Sequence, residues 1–182
     1  MRLCEITNGT IKRIPIKPPV SPLVLCPATP VTRSSPAALK NALEQYARYF
    51  RREFRYDFVP YTKHEHVHEN LSAYLLPQRD KRFWAGGCSF WKEEGVWTLT
   101  WMWMHPFDRH QGILKAAWPY FEREHGPFRI DSPVSIPMQY FLLRQGVAES
   151  RLRGGYRIGI IDKGQASRSL HPLCAPRLAS SS

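Results

Sequence analysis

Residues 104–114, Met-His-Pro-Phe-Asp-Arg-His-Gln-Gly-Ile-Leu, carry the densest set of side chains able to do chemistry. They follow residues 96–104, where bulky apolar residues alternate with Thr and Trp without Gly or charge, the pattern of a buried strand. Pro106 ends that pattern, because it cannot donate to a strand ladder and turns His105 away from helix. Gly112 then opens an apolar, helical run. A strand, a polar turn with a Gly and a helix leave several N–H groups unpaired at the helix N-terminus. Such an end binds phosphate through hydrogen bonds and the helix dipole. A second set is His64, His66 and His68, which an extended backbone would project to one side. Three imidazoles there would suit a divalent metal. The segment lies between helix and strand signals, with no second ligand cluster, so it reads as a polar loop and no metal is expected.

The segment 104–114 resembles the acetyl-CoA-binding segment of the GNAT N-acetyltransferase superfamily. That pattern is an apolar strand ending near a Pro, then Arg/Gln-x-x-Gly-x-Gly/Ala at the start of a helix. Arg109 and Gly112 fall on it, and Gln111 and Ile113 are common between its fixed positions. His110 stands where Gly is frequent, and Leu114 where the last small residue belongs. The resemblance implies acetyl-CoA as co-substrate, with the amides of 111–114 on its pyrophosphate. Arg109 would add positive field there, and an N–H near Met104 would polarise the thioester carbonyl. Residues 135–147 are similar to a later family segment, Asn-x-x-Ala-x-x-apolar-Tyr-x-x-x-Gly-Phe, which adds Ser135 to the cofactor set. There the family's thiolate-protonating Tyr falls on Leu142, and Tyr140 stands two residues earlier, about 200° away around a helix.

Transfer of an acyl group to an amine needs a proton acceptor with a pKa near working pH, hence a partly buried carboxylate or a His. Asp131 at a strand end, Glu94 before the central strand and His105 are the candidates, with Tyr140 as a proton donor. Against these stand plainer roles: a turn cap for Asp131, a solvated turn charge for Glu94, a packed loop imidazole for His105 and a core aromatic for Tyr140.

The elements that must position these groups follow from spacing. Ser35-Pro36 starts a helix through about Phe54, with Leu39, Leu43, Tyr46, Phe50 and Phe54 on one face and Lys40, Arg48, Arg51, Arg52 and Arg55 on the other. Strands are expected at 72–76, 83–91 and 96–104, joined by short polar turns into an antiparallel meander. The pair Gly86-Gly87 predicts a bulge or close backbone approach. A helix at 112–125 contains Pro119, which should kink it, and stops at Gly126. A short strand at 128–131 and a helix at 138–145 follow, then one or two strands, the clearest at 156–161. This order is that of a GNAT-like α/β (α+β) fold: a mixed, mainly antiparallel central sheet flanked by helices. The domain is expected at 35–162, after a Pro-rich arm at 1–34 and before a Ser-, Pro- and Arg-rich tail at 163–182 without fixed structure.

The chain of 182 residues suits one domain with a real core. No apolar run has membrane-spanning length, and no signal-peptide core is seen at the N-terminus. Cys4, Cys26, Cys88 and Cys174 are scattered, so neither a disulfide scaffold nor a zinc site is expected, and a reducing cytoplasm fits. The net charge of +11 favours anionic partners such as CoA phosphates or nucleic acid, though a solvated basic surface accounts for it equally well. Two functions are expected. One is an acetyl-CoA-dependent N-acyltransferase whose amine acceptor is a small molecule, a protein or a charged tRNA. The other is a GNAT-like basic module without efficient catalysis that contacts RNA or a protein. Oligomeric state is not legible.

Overall fold

The computed structural model describes residues 11–16, 27–64 and 68–153. Its strands are β1 (Ile14–Pro15), β2 (Thr29–Val31), β3 (Leu71–Pro77), β4 (Phe83–Glu93), β5 (Val96–Met104) and β6 (Arg129–Ile130). Its helices are α1 (Ala37–Phe54), α2 (Ile113–His125) and α3 (Ile136–Arg144). Among the described residues the strands form one mixed sheet in the order β2-β3-β4-β5-β6, with β1 paired to β4. Every pairing is antiparallel except β5 with β6, which is parallel. This is the mixed, mainly antiparallel sheet flanked by helices expected from the order of sequence signals.

The meander forms because each strand hands over through a short polar turn. Between β4 and β5 the turn is Glu94-Gly95, both with positive φ (51° and 81°), the two-residue geometry that matches strand twist. Two apolar layers sandwich the sheet. On one face α1 packs Leu43, Tyr46 and Phe50 against Trp84, Trp101 and Trp103, and the Tyr46 hydroxyl donates to the Trp84 carbonyl at 2.6 Å. On the other, Ile113, Ala117 and Phe121 of α2 and Leu142 of α3 pack with Phe90, Leu99 and Ile130. Each fully buried Leu or Phe of this kind contributes roughly 1.5–3 kcal/mol of transfer free energy.

Gly86 and Gly87 answer a close approach. A Cβ on Gly86 would lie 2.2 Å from the Trp103 carbonyl oxygen, and one on Gly87 2.5 Å from Leu43 Cδ1. The register also slips beside this pair, between Leu76 and Pro77. α1 starts one residue later than its Ser-Pro signal suggests: Pro36 takes the cap position, and the Ser35 hydroxyl accepts from the Thr32 amide instead. α2 runs through Pro119, whose missing N–H leaves the Lys115 carbonyl without its helical donor. Two short strands, β1 and β2, come from the Pro-rich N-terminal stretch and join the sheet. The segments 156–161 and 163–182 lie outside the described residues. Among those described, no helix is long and apolar enough to cross a membrane.

Candidate active site

The central feature is a split in the sheet. β5 and β6 pair only at Thr98 with Arg129 and Leu99 with Ile130, and the last bond across the junction is from the Asp131 amide to the Leu99 carbonyl, 2.9 Å. Beyond it β5 continues through Thr100 to Met104 with no strand on that edge among the described residues. A bulge marks the point of departure. Ser89 faces Trp101 and Phe90 faces Leu99, which leaves Thr100 as the extra residue. The bulge also reverses the side-chain alternation: Leu99 packs on the α2 face, Trp101 and Trp103 on the α1 face. The Thr100 hydroxyl is tied to the Ser89 side chain at 3.0 Å and to its carbonyl at 3.1 Å. A cavity of about 70 Å³ opens in the split, between Thr100–Met102 of β5, Asp131 and Ser135 after β6, and Phe50, Phe54 and Tyr56 from the end of α1.

At the other end of β5 the chain makes a short 3-10 helix, Pro106–Asp108, and enters α2. Gly112 holds the N-cap position with φ 75°, left-handed backbone that favours Gly, and no side chain caps the helix. A Cβ on Gly112 would meet the Arg79 guanidinium at 3.1 Å. A cation from the β3–β4 turn thus stands over the positive end of a helix dipole, an arrangement that an anion between them would stabilise. His110 is also left-handed, with φ 62°, and Gln111 donates from Nε2 to the Phe107 carbonyl at 2.7 Å. Ile113 is buried in the core and Leu114 packs against it. The Leu at the family's small-residue position therefore leans on the core.

No family model matches the chain, and no curated protein does. Solved structures do. A probable acetyltransferase matches at TM-score 0.45 and 16% identity, over 75% of this chain and 99% of that one. A ribosomal-protein-alanine N-acetyltransferase from Brucella melitensis biovar Abortus 2308 matches at TM-score 0.47 and 14% identity, over 73% and 98%. An aminoglycoside acetyltransferase from an uncultured soil metagenomic sample matches at TM-score 0.45 and 11% identity, over 73% and 97%. These structural neighbours are acetyltransferases. Likeness at this level gives the chain neither a substrate nor a mechanism, which rest on its own residues.

Of the acid–base candidates, Asp131 lines the cleft. Ser135 lines it too and caps α3, its hydroxyl accepting from the Met138 amide at 3.4 Å. Glu94 is not brought there: it sits in the β4–β5 hairpin turn, five residues up the strand from Leu99, each residue adding about 3.3 Å. Tyr140 is neither a core aromatic nor a cleft residue; it is 63% exposed on α3, while Leu142 is buried on the opposite side, as their 200° separation demands. His105 is buried and caps the 3-10 helix, its Nδ1 accepting from the Phe107 amide at 3.3 Å. Burial lowers its pKa, so the ring is neutral at pH 7.

Arg109, expected to add positive field at the phosphate site, is ion-paired with Glu53. Its guanidinium donates to Glu53 at 2.7 and 2.9 Å and to the Met104 carbonyl at 3.0 Å, and it lies 5.9 Å from the Trp103 ring centre. Glu53 also accepts from the Trp103 indole at 2.7 Å. The Arg109 charge is thus spent on tying α1 to the turn before α2. Met104 has its carbonyl occupied by the same contact. Sequence reasoning missed three groups. Glu53 hides in the basic face of α1. Tyr56, whose phenol pKa is raised by burial and then by the Asp131 charge, follows the helix end. Asp108, buried, accepts from Gln78 and lies 3.8 Å from His105 Nδ1 and 3.6 Å from Arg13. The signal for Asp108 was its place directly after Pro106-Phe107, at the head of the polar turn between strand and helix. Of the three histidines, His66 lies outside the described residues; His68 packs edge-on against Trp91.

Proposed function

We propose that the chain is an acetyl-CoA-dependent N-acyltransferase that acetylates a primary amine. The observation that supports this reading is the parting of β5 from β6 after Leu99, which leaves β5 from Thr100 to Met104 without a strand on that edge among the described residues, on the strand that runs on through the turn to the capless N-terminus of α2. The residues present fit the cofactor. Gly112, the first amides of α2 and Arg79 suit a pyrophosphate, and the edge of β5 from Thr100, which carries no strand among the described residues, suits a chain of amide groups. Acetyl-CoA supplies the acyl group, activated as a thioester. The chain orients it, places Asp131 where the acceptor nitrogen sheds its proton, and excludes bulk water with the apolar walls of the cleft.

Buried Leu142 at the family's Tyr position favours the second reading, a basic module that binds without efficient transfer. Thermal unfolding separates the readings. Millimolar acetyl-CoA raises the midpoint of the full chain by mass action if the cofactor site exists; no shift with folded protein overturns the enzyme. A shift without thiol release in the presence of amines leaves the binding module.

A further inference from the structure

The walls of the cleft go further than "a primary amine". We infer that the acceptor is a monoamine with an apolar group of aromatic size beside its nitrogen, an inference that rests on the acyltransferase reading.

On the α1 side the cleft is a cluster of rings centred on Phe50. Its centroid lies 4.9 Å from Phe54, 5.0 Å from Tyr56 and 5.9 Å from Trp101. Asp131 is the sole carboxylate among the lining residues. One acid among aromatic faces recognises one ammonium through charge and cation–π attraction, while the rings take the carbon skeleton. A second or third ammonium finds no partner in the lining. Arg51, Arg52 and Arg55, exposed at the same helix end, add to the repulsion of further cations by a chain of net charge +11.

The sidedness agrees too. Phe50, Phe54 and Trp101 belong to the α1 face, whereas α2, with its phosphate-binding end, packs on the opposite face. The two substrates therefore approach through opposite mouths and meet in the split at Thr100. There the bound ammonium first passes one proton through Asp131 to water, and the neutral nitrogen forms its bond to the acyl carbon as the carbon–sulfur bond breaks. The nitrogen then loses a second proton by the same route, and the departing sulfur gains one, so that one proton is released in all.

The test compares phenethylamine, ethanolamine and spermidine as acceptors for the full chain with acetyl-CoA, following thiol release. The expected kcat/KM for phenethylamine is at least tenfold above either alternative, and Phe54→Ala reduces that ratio mainly by raising KM for phenethylamine. Tryptophan fluorescence of the protein alone gives a readout free of turnover. Phenethylamine is expected to produce a saturable change, weakened at least fivefold by Asp131→Asn. Equal or better use of spermidine or ethanolamine overturns the inference and leaves the acyltransferase standing. Acetyl-CoA binding without transfer to any of the three, and without fluorescence saturation, overturns it as well. Failure of acetyl-CoA to bind removes the acyltransferase reading and with it this inference, whatever phenethylamine does to the fluorescence.

Discussion

His125 shows how a single half-buried imidazole shapes the molecule's response to acid. Its ring lies 4.3 Å from Phe90 and 4.7 Å from Trp97, and its Nε2 is 2.9 Å from the Tyr74 hydroxyl. Burial brings its pKa down to about 4, with the Glu124 charge opposing only in part. A group depressed in this way adds stability above its unfolded pKa near 6.5 and loses it as pH falls toward 4. The unfolding free energy should therefore drop between pH 7 and pH 4.5, with His125 contributing on the order of 1–2 kcal/mol after solvent screening. Urea titrations of His125→Gln should show a flatter profile than the parent over that interval; parallel profiles would mean the ring protonates without cost. Buried Cys88, its thiol pKa pushed up by burial, should react with thiol reagents only after unfolding.

At the scale of elements, one ion pair ties α1 to the turn beside the candidate site. Glu53 and Arg109 join the last turn of α1 to the turn before α2, half buried and doubly hydrogen-bonded. Glu53→Gln should cost about 1–3 kcal/mol in urea unfolding, and combining it with Arg109→Ala should cost less than the sum. Additive losses would show that the pair is not one unit. Pro119 stands exposed within α2. Its replacement by Ala restores a backbone donor and should stabilise the chain by roughly 1–3 kcal/mol. Acetyl-CoA affinity should stay the same, since the helix end proposed to hold the phosphates lies about two turns away. A large loss of affinity would mean that Pro119 shapes that end.

The same elements show what the sequence made legible. β5 and α2 stand at Val96–Met104 and Ile113–His125, because apolar alternation, Pro106 and the flanking glycines each act locally. The bulge at Thr100 left no local signal. It arises from the match of β5 to β4, and its Thr looks like any strand residue. Arg109 was read as a cation for a ligand because its partner, Glu53, is 56 residues away and only the packed fold brings them together. Asp131, singled out for its place at a strand end, lines the cleft. The aromatic wall from Phe50 to Tyr56 read as a core stripe, which it also is, since Phe50 is buried and Phe54 and Tyr56 pack against the same cluster.

For the whole molecule the basic charge sets the terms of association. A net charge of +11 would draw the proposed anionic cofactor at low salt, so acetyl-CoA affinity should fall severalfold as ionic strength rises from about 0.05 to 0.5 M, where the screening length drops below roughly 5 Å. Affinity independent of salt would locate the recognition in uncharged contacts alone. The measurement that bears most directly on the central claim is calorimetric titration of acetyl-CoA into the parent chain and Gly112→Val. At φ 75° and with Arg79 3.1 Å from a Cβ, a side chain there blocks the approach of an anion to the helix end. It costs at least the 1.5–3 kcal/mol of one charge-assisted hydrogen bond, about tenfold or more in affinity. Micromolar to sub-millimolar binding by the parent, lost or weakened at least tenfold in a folded Gly112→Val, is the result predicted. Equal affinity in both chains would contradict it and make the strand–turn–helix an ordinary connection.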